Sequence, residues 1–127
     1  MSTPFAIQGI LSLPLGPGST AEPIPFGVVS QFDSRSSFEY LLPASSGTQV
    51  VDFGTMPAAG AKLVLVSYEA VGTPPPPPIT LTVNGGSSVE LSAGGFFCVG
   101  SPSPVSGVTS LDIGYTDVGK VKIWLLG

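Results

Sequence analysis

The sequence contains no histidine, a single cysteine and only 9% charged residues, and each shortage removes a class of chemistry. Without histidine, the commonest proton-transfer group at neutral pH is missing, along with the usual base that activates a serine or cysteine nucleophile. The lone Cys98 has no partner for an internal disulfide, and one thiol without imidazoles does not make a zinc site. Only Arg35, Lys62, Lys120 and Lys122 are basic, against eight acids, for a net charge of −4. A phosphate-binding surface needs several cations close together. These shortages predict a chain that is not an enzyme, with no catalytic residue, cofactor, metal or nucleic-acid partner. No stretch approaches the roughly 20 apolar residues of a membrane span, and Met1-Ser2-Thr3-Pro4-Phe5 lacks the basic start of a signal peptide. No membrane partner is expected, and the chain is expected to assemble in a cytoplasm.

What is present is material for strands. Leu, Ile, Val and Phe supply 39 of 127 residues, enough for a core without a disulfide or metal staple. Seventeen glycines and 14 prolines leave few windows in which a helix could run uninterrupted. Charge far below the usual quarter of residues, with a mean hydropathy of +0.47, requires an outside made of Ser, Thr, Gly and Pro, or one covered by a partner. Cys98, inside Gly95-Phe96-Phe97-Cys98-Val99-Gly100, reads as a buried small hydrophobe with no base to activate it.

Along the chain, residues 1–25 read as an extended arm, Phe5 to Leu13, followed by a Pro/Gly-rich linker, and residues 26–127 as the folded domain. Phe26 to Phe32 is a strand candidate. Phe38, Tyr40 and Leu42 then alternate with Ser37, Glu39 and Leu41, the period of a strand. A short helical turn is tolerable only near Asp33 to Ser36. Thr48 to Phe53 is another strand. Lys62 to Ala70 is apolar on both faces at its start and suits the middle of a sandwich. Pro74 to Pro78 forms a stiff polyproline II segment of roughly 15 Å. Ile79, Leu81 and Val83 alternate with Thr80 and Thr82 before Asn84-Gly85-Gly86, a tight-hairpin signal. Val89 and Leu91, Phe96 to Val99, Leu111 to Tyr115 and Val121 to Leu126 complete eight to ten short strands. The expected fold is all-β: an antiparallel β-sandwich, jelly-roll-like, with an extended N-terminal arm.

Thr82-Val83-Asn84-Gly85-Gly86, Leu91-Ser92-Ala93-Gly94-Gly95-Phe96-Phe97, Gly107-Val108-Thr109-Ser110-Leu111 and Val121-Lys122-Ile123-Trp124-Leu125-Leu126-Gly127 carry a resemblance to small virion proteins of tailed bacteriophages, over residues 79–127. The resemblance implies a structural protein of the virion, of the head decoration, cement or neck and tail accessory kind.

A capsid decoration or cement protein is the reading carried forward: a homotrimer or homodimer that bridges subunits of the major capsid protein. Phe5, Ile7, Ile10, Leu11 and Leu13 of the arm, with Trp124 and Leu126 of the last strand, are its candidate interface residues. Trp124 and Leu126 alternate outward with Lys120 and Lys122, so either that face meets a partner or the strand is buried on both sides. The alternative is a neck, tail or fibre-tip module that binds a receptor or carbohydrate through loops near Tyr68, Tyr115 and Phe96. Asp33, Glu39, Asp52, Asp112 and Asp117 show no spacing that would pair them in a glycosidase or calcium site. Pro74 to Pro78 reads as a rigid loop rather than a ligand for an aromatic groove, because no basic anchor flanks it.

Overall fold

A computed structural model describes residues 3–14, 21–100 and 107–127, and between residues 3 and 31 it describes side chains only at Pro4, Ala6 and Gln8. Ten strands follow one another: β1 (Thr3–Pro14), β2 (Ala21–Phe32), β3 (Arg35–Leu42), β4 (Gly47–Val50), β5 (Leu63–Glu69), β6 (Ile79–Val83), β7 (Ser88–Leu91), β8 (Phe96–Gly100), β9 (Leu111–Tyr115) and β10 (Gly119–Leu126). No helix occurs among the described residues. The helical turn allowed near Asp33 to Ser36 is not formed: the Asp33 and Ser34 amides both donate to the Gly127 carbonyl, and β3 begins at Arg35.

Strands β3 to β10 form two antiparallel four-stranded sheets, ordered β3-β10-β5-β8 and β4-β9-β6-β7. Their connectivity is that of one long hairpin rolled up. The innermost pair is β6 with β7, then β5 with β8, β4 with β9 and β3 with β10. Rolling then brings β10 against β5 and β9 against β6. This nesting is the jelly roll, and it makes β5 an interior strand, as its apolar composition predicts.

Period-two patterning decides which residues meet between the sheets. Val121, Ile123 and Leu125 of β10, Val64, Val66 and Tyr68 of β5, Ile79 and Leu81 of β6 and Leu111 and Ile113 of β9 are all essentially inaccessible to solvent. Phe38 and Tyr40 of β3 stack on the margin of this core, ring centroids 5.9 Å apart. The expected strand through Phe53 stops earlier. Val51 still donates to the Leu111 carbonyl, but the Asp52 carboxylate accepts the Gly54 amide and turns the chain.

Residues 3–14 and 21–32 form a ribbon, so the expected linker is strand from Ala21 on, while its residues 15–20 lie outside the described residues. β1 and β2 pair antiparallel over twelve positions, from Thr3 opposite Phe32 to Pro14 opposite Ala21. Pro23 and Pro25 are tolerated in β2 because each strand of a two-stranded ribbon keeps a free edge, where a missing N–H costs no ladder bond.

Asn84 and Gly85 both have positive φ, 52° and 68°, as the hairpin between β6 and β7 requires. Asn84 is more than a turn residue. Its Oδ1 accepts the Thr109 and Ser110 amides and the Thr109 hydroxyl, and its Nδ2 donates to the Gly107 carbonyl. One side chain thus ties the hairpin to the segment leading into β9. Asn84→Ala should lower unfolding free energy by about 1–3 kcal/mol, since several backbone groups lose their partner at once. Urea denaturation measures this, and a change within about 0.5 kcal/mol, the scatter of neutral surface substitutions, would reject the role.

Candidate docking face

The outward face of the β3-β10-β5-β8 sheet carries three exposed large apolar side chains, Leu41, Phe96 and Trp124. Register places Ser37, Trp124, Leu65 and Cys98 in one row across the four strands, and Glu39, Lys122, Ser67 and Phe96 in the next. Trp124 is 37% exposed, Phe96 67% and Leu41 73%. Leu65 and Leu126 are half-buried beside them. A depression of about 360 Å³ between β3 and β10 is lined by Ser37, Phe38, Glu39, Lys122 and Trp124.

Trp124 and Leu126 therefore share an outward face with the two lysines, and among the described residues β10 is covered on one side only. The lysines are engaged within the sheet. Lys120 Nζ lies 3.2 Å from Glu39 and Lys122 Nζ 3.8 Å from Glu69, each reaching diagonally across strands. These exposed pairs add little stability, but they neutralise half of the chain's cations locally. The backbones of Phe5, Ile7, Ile10, Leu11 and Leu13 lie opposite Ser30, Val28, Pro25, Ile24 and Glu22. Their side chains lie outside the described residues.

The opposite outer face is different in kind. Thr48, Val50, Asp112, Gly114, Thr80, Thr82, Ser88 and Glu90 alternate outward there, and the Thr82 and Ser88 hydroxyls bond at 2.9 Å. That face is mostly polar, with three threonines, a serine and two carboxylates around one exposed apolar side chain, Val50.

Cys98 is exposed rather than buried. Phe97 and Val99 pack against the core, so strand alternation turns Cys98 outward, and β8 lies at a sheet edge. Desolvation by its neighbours still pushes the thiol pKa up, which favours the inert thiol over the thiolate. Of the aromatics considered as loop residues, Tyr68 is buried, Tyr115 is half-buried against the core and Phe96 alone is well exposed. Among the described residues no three of His, Cys, Asp and Glu converge on a common point. Asp52 and Asp117 instead accept backbone amides of Gly54 and Val118.

The Tyr68 hydroxyl donates to the Pro77 carbonyl at 3.1 Å, anchoring the proline segment to the end of the sandwich. Burial first, and the negative charge of Asp117 second, raise the Tyr68 pKa, and burial first with Asp52 second raises that of Tyr40. A raised folded-state pKa favours the protonated phenol. Its stabilisation is complete below the unfolded value of about 10 and is lost as pH rises through the folded value. Stability should fall above about pH 10, and Tyr68→Phe should reduce that fall while costing about 1 kcal/mol at neutral pH through the lost hydrogen bond. Thermal unfolding from neutral to strongly alkaline pH tests both; an identical alkaline fall in the variant would assign it elsewhere.

Comparison with known proteins corrects two of the expectations. No family model matches the chain, and the likeness to phage virion proteins finds no support. The chain is instead similar to the human apoptosis-enhancing nuclease, 38% identical over 73 residues that cover 54% of this chain. The similarity spans only 22% of that protein's length. Because that protein is a nuclease, the match also overturns the expectation, drawn from absent histidine and scarce charge, that the chain is not an enzyme. Missing residue types exclude particular mechanisms, and an activity can use others.

Proposed function

We propose that this chain is a structural subunit that assembles with copies of itself and docks onto a larger protein shell, the role of a capsid decoration or cement protein. The observation that carries this reading is the outer face of the β3-β10-β5-β8 sheet. It carries exposed Trp124 beside half-buried Leu65, with Leu126 on the same strand and exposed Leu41 and Phe96 at its two edges, while the lysines among them are neutralised by glutamates. Apolar area of this kind marks an association surface, and internal compensation of charge favours a lasting fit over long-range steering. The role would place the protein on a virion assembled in a host cytoplasm, against a major capsid protein, where many modest contacts add through multivalency.

Trp124 is the sole tryptophan and so reports directly on this face. Its fluorescence should shift to shorter wavelength on assembly, and Trp124→Glu should weaken association by at least about tenfold, the effect of losing a central aromatic anchor. Sedimentation velocity measures the second effect. Gold-labelled antibody against the chain should decorate the heads of negatively stained particles; label confined to tails would move the protein to the neck or tail reading, and label on no particle would end the virion reading.

The similarity to a nuclease supports a second reading, that the chain belongs to a nucleic-acid-cleaving protein. Incubation with single- and double-stranded DNA and with RNA, in magnesium and in manganese, distinguishes them. Cleavage above the protein-free rate would favour this second reading over the first.

A further inference from the structure

The edges of the two sheets are not equally protected. β3 carries Arg35 and Glu39, β7 carries Glu90, and β4 is only four residues long. β8 is Phe-Phe-Cys-Val-Gly, with no charge and no proline, and it lies at the end of its sheet beside β5. Charges, prolines and shortness are the usual means of blocking edge pairing. β8 has none of the first two.

The backbone of β8 is set for pairing on its free side. At its start Gly94, with φ 87°, and Gly95 together face Tyr68: the Gly94 amide donates to the Tyr68 carbonyl and the Tyr68 amide to the Gly95 carbonyl. This is a G1 bulge, and it fixes the ladder's parity. Alternation then turns the N–H and C=O of Phe97 and Val99 toward β5. Those of Phe96, Cys98 and Gly100 point to the other side, where no described strand lies.

We propose that β8 pairs antiparallel with β8 of a second copy about a two-fold axis at Cys98, joining two sandwiches through one continuous eight-stranded sheet. The strand is complementary to itself about that residue. Phe96 lies opposite Gly100 of the second copy, where a ring can cover the glycine left without a side chain, an arrangement that stabilises edge glycines. Phe97 lies opposite Val99 and Cys98 opposite Cys98. The pairing brings no like charges face to face, although each chain carries −4. Nearest across the sheet from β8 are Leu63, Leu65 and Ser67, all neutral. A self-complementary patch closes a two-fold dimer without leaving a further copy of the edge exposed.

The proposal deepens the self-assembly reading above and can fail separately from it. Full-length protein in a reducing buffer should sediment as a dimer at tens of micromolar. Cys98→Ser should remain dimeric. Cys98→Lys places two like charges opposite each other at the axis and should raise the dissociation constant by about a hundredfold or more. Its circular dichroism should keep the β signature of the parent. Diamide, which takes up the two electrons and two protons released when two thiols join, should convert the parent to a covalent dimer on a non-reducing gel, and faster as the pH is raised, since the partly buried thiol gives up its proton only at higher pH than a free one. A monomeric parent, or a parent that diamide leaves uncrosslinked, overturns the pairing. So does a Cys98→Lys protein as oligomeric as the parent, and that outcome leaves self-assembly standing through another surface.

Discussion

Everything in the sandwich depends on β10 holding its place between β3 and β5. That strand joins the first strand of the roll to an interior one across most of the chain, and its Val121, Ile123 and Leu125 are wholly buried. Were it absent, β3 would lose its sheet and Val64, Val66 and Tyr68 would lose part of their cover. Because its partners are so distant in sequence, loop closure must precede the reward from pairing, and folding belongs with the slower, non-local β topologies. Local signals such as the Asn84-Gly85 turn can form early, but only the outer pair of the nested hairpin closes the first sheet.

The two outer faces divide the work of keeping such a charge-poor protein in water. One mixes threonine and serine with Asp112, Glu90 and an exposed Val50, and some of its hydroxyls satisfy one another, as Thr82 and Ser88 do. The other concentrates the scarce charges into a crossed ladder, Glu39 with Lys120 and Glu69 with Lys122, beside Trp124 and Leu65. A partner approaching that second face meets apolar surface and already neutralised charge. Desolvating a neutral ladder costs less than desolvating isolated ions.

Legibility followed physical range. The alternation of Ile79, Leu81 and Val83, the turn at Asn84-Gly85 and the two-sided burial at Leu63 and Val64 were all readable, because each is set within a few residues. The pairing of residues 3–14 with 21–32 was not, because the prolines at 23 and 25 argue against a strand unless its other edge is known to be open. Cys98 reads as buried from its apolar neighbours, but those neighbours, Phe97 and Val99, take the core side of β8, so alternation leaves Cys98 on the outer face of an edge strand. Trp124 and Leu126 stood out by their place among lysines, whereas Phe96, Leu65 and the charge ladder became neighbours only through register. The same limit hid the reach of Asn84, whose partners at 107–110 lie more than twenty residues away.

That reach of Asn84 bears on how the protein ages. An asparagine followed by glycine is chemically fragile, because the glycine amide can attack the side-chain carbonyl, expel ammonia and leave a cyclic imide that reopens to aspartate or its backbone-lengthened isomer. Here the carbonyl is held by Thr109 and Ser110 and the amide by Gly107, so the side chain is kept from swinging onto the Gly85 nitrogen. The same hydrogen bonds that fasten the hairpin to β9 therefore protect its weakest covalent position, and partial opening of that end of the sandwich would set the rate at which old molecules accumulate damage.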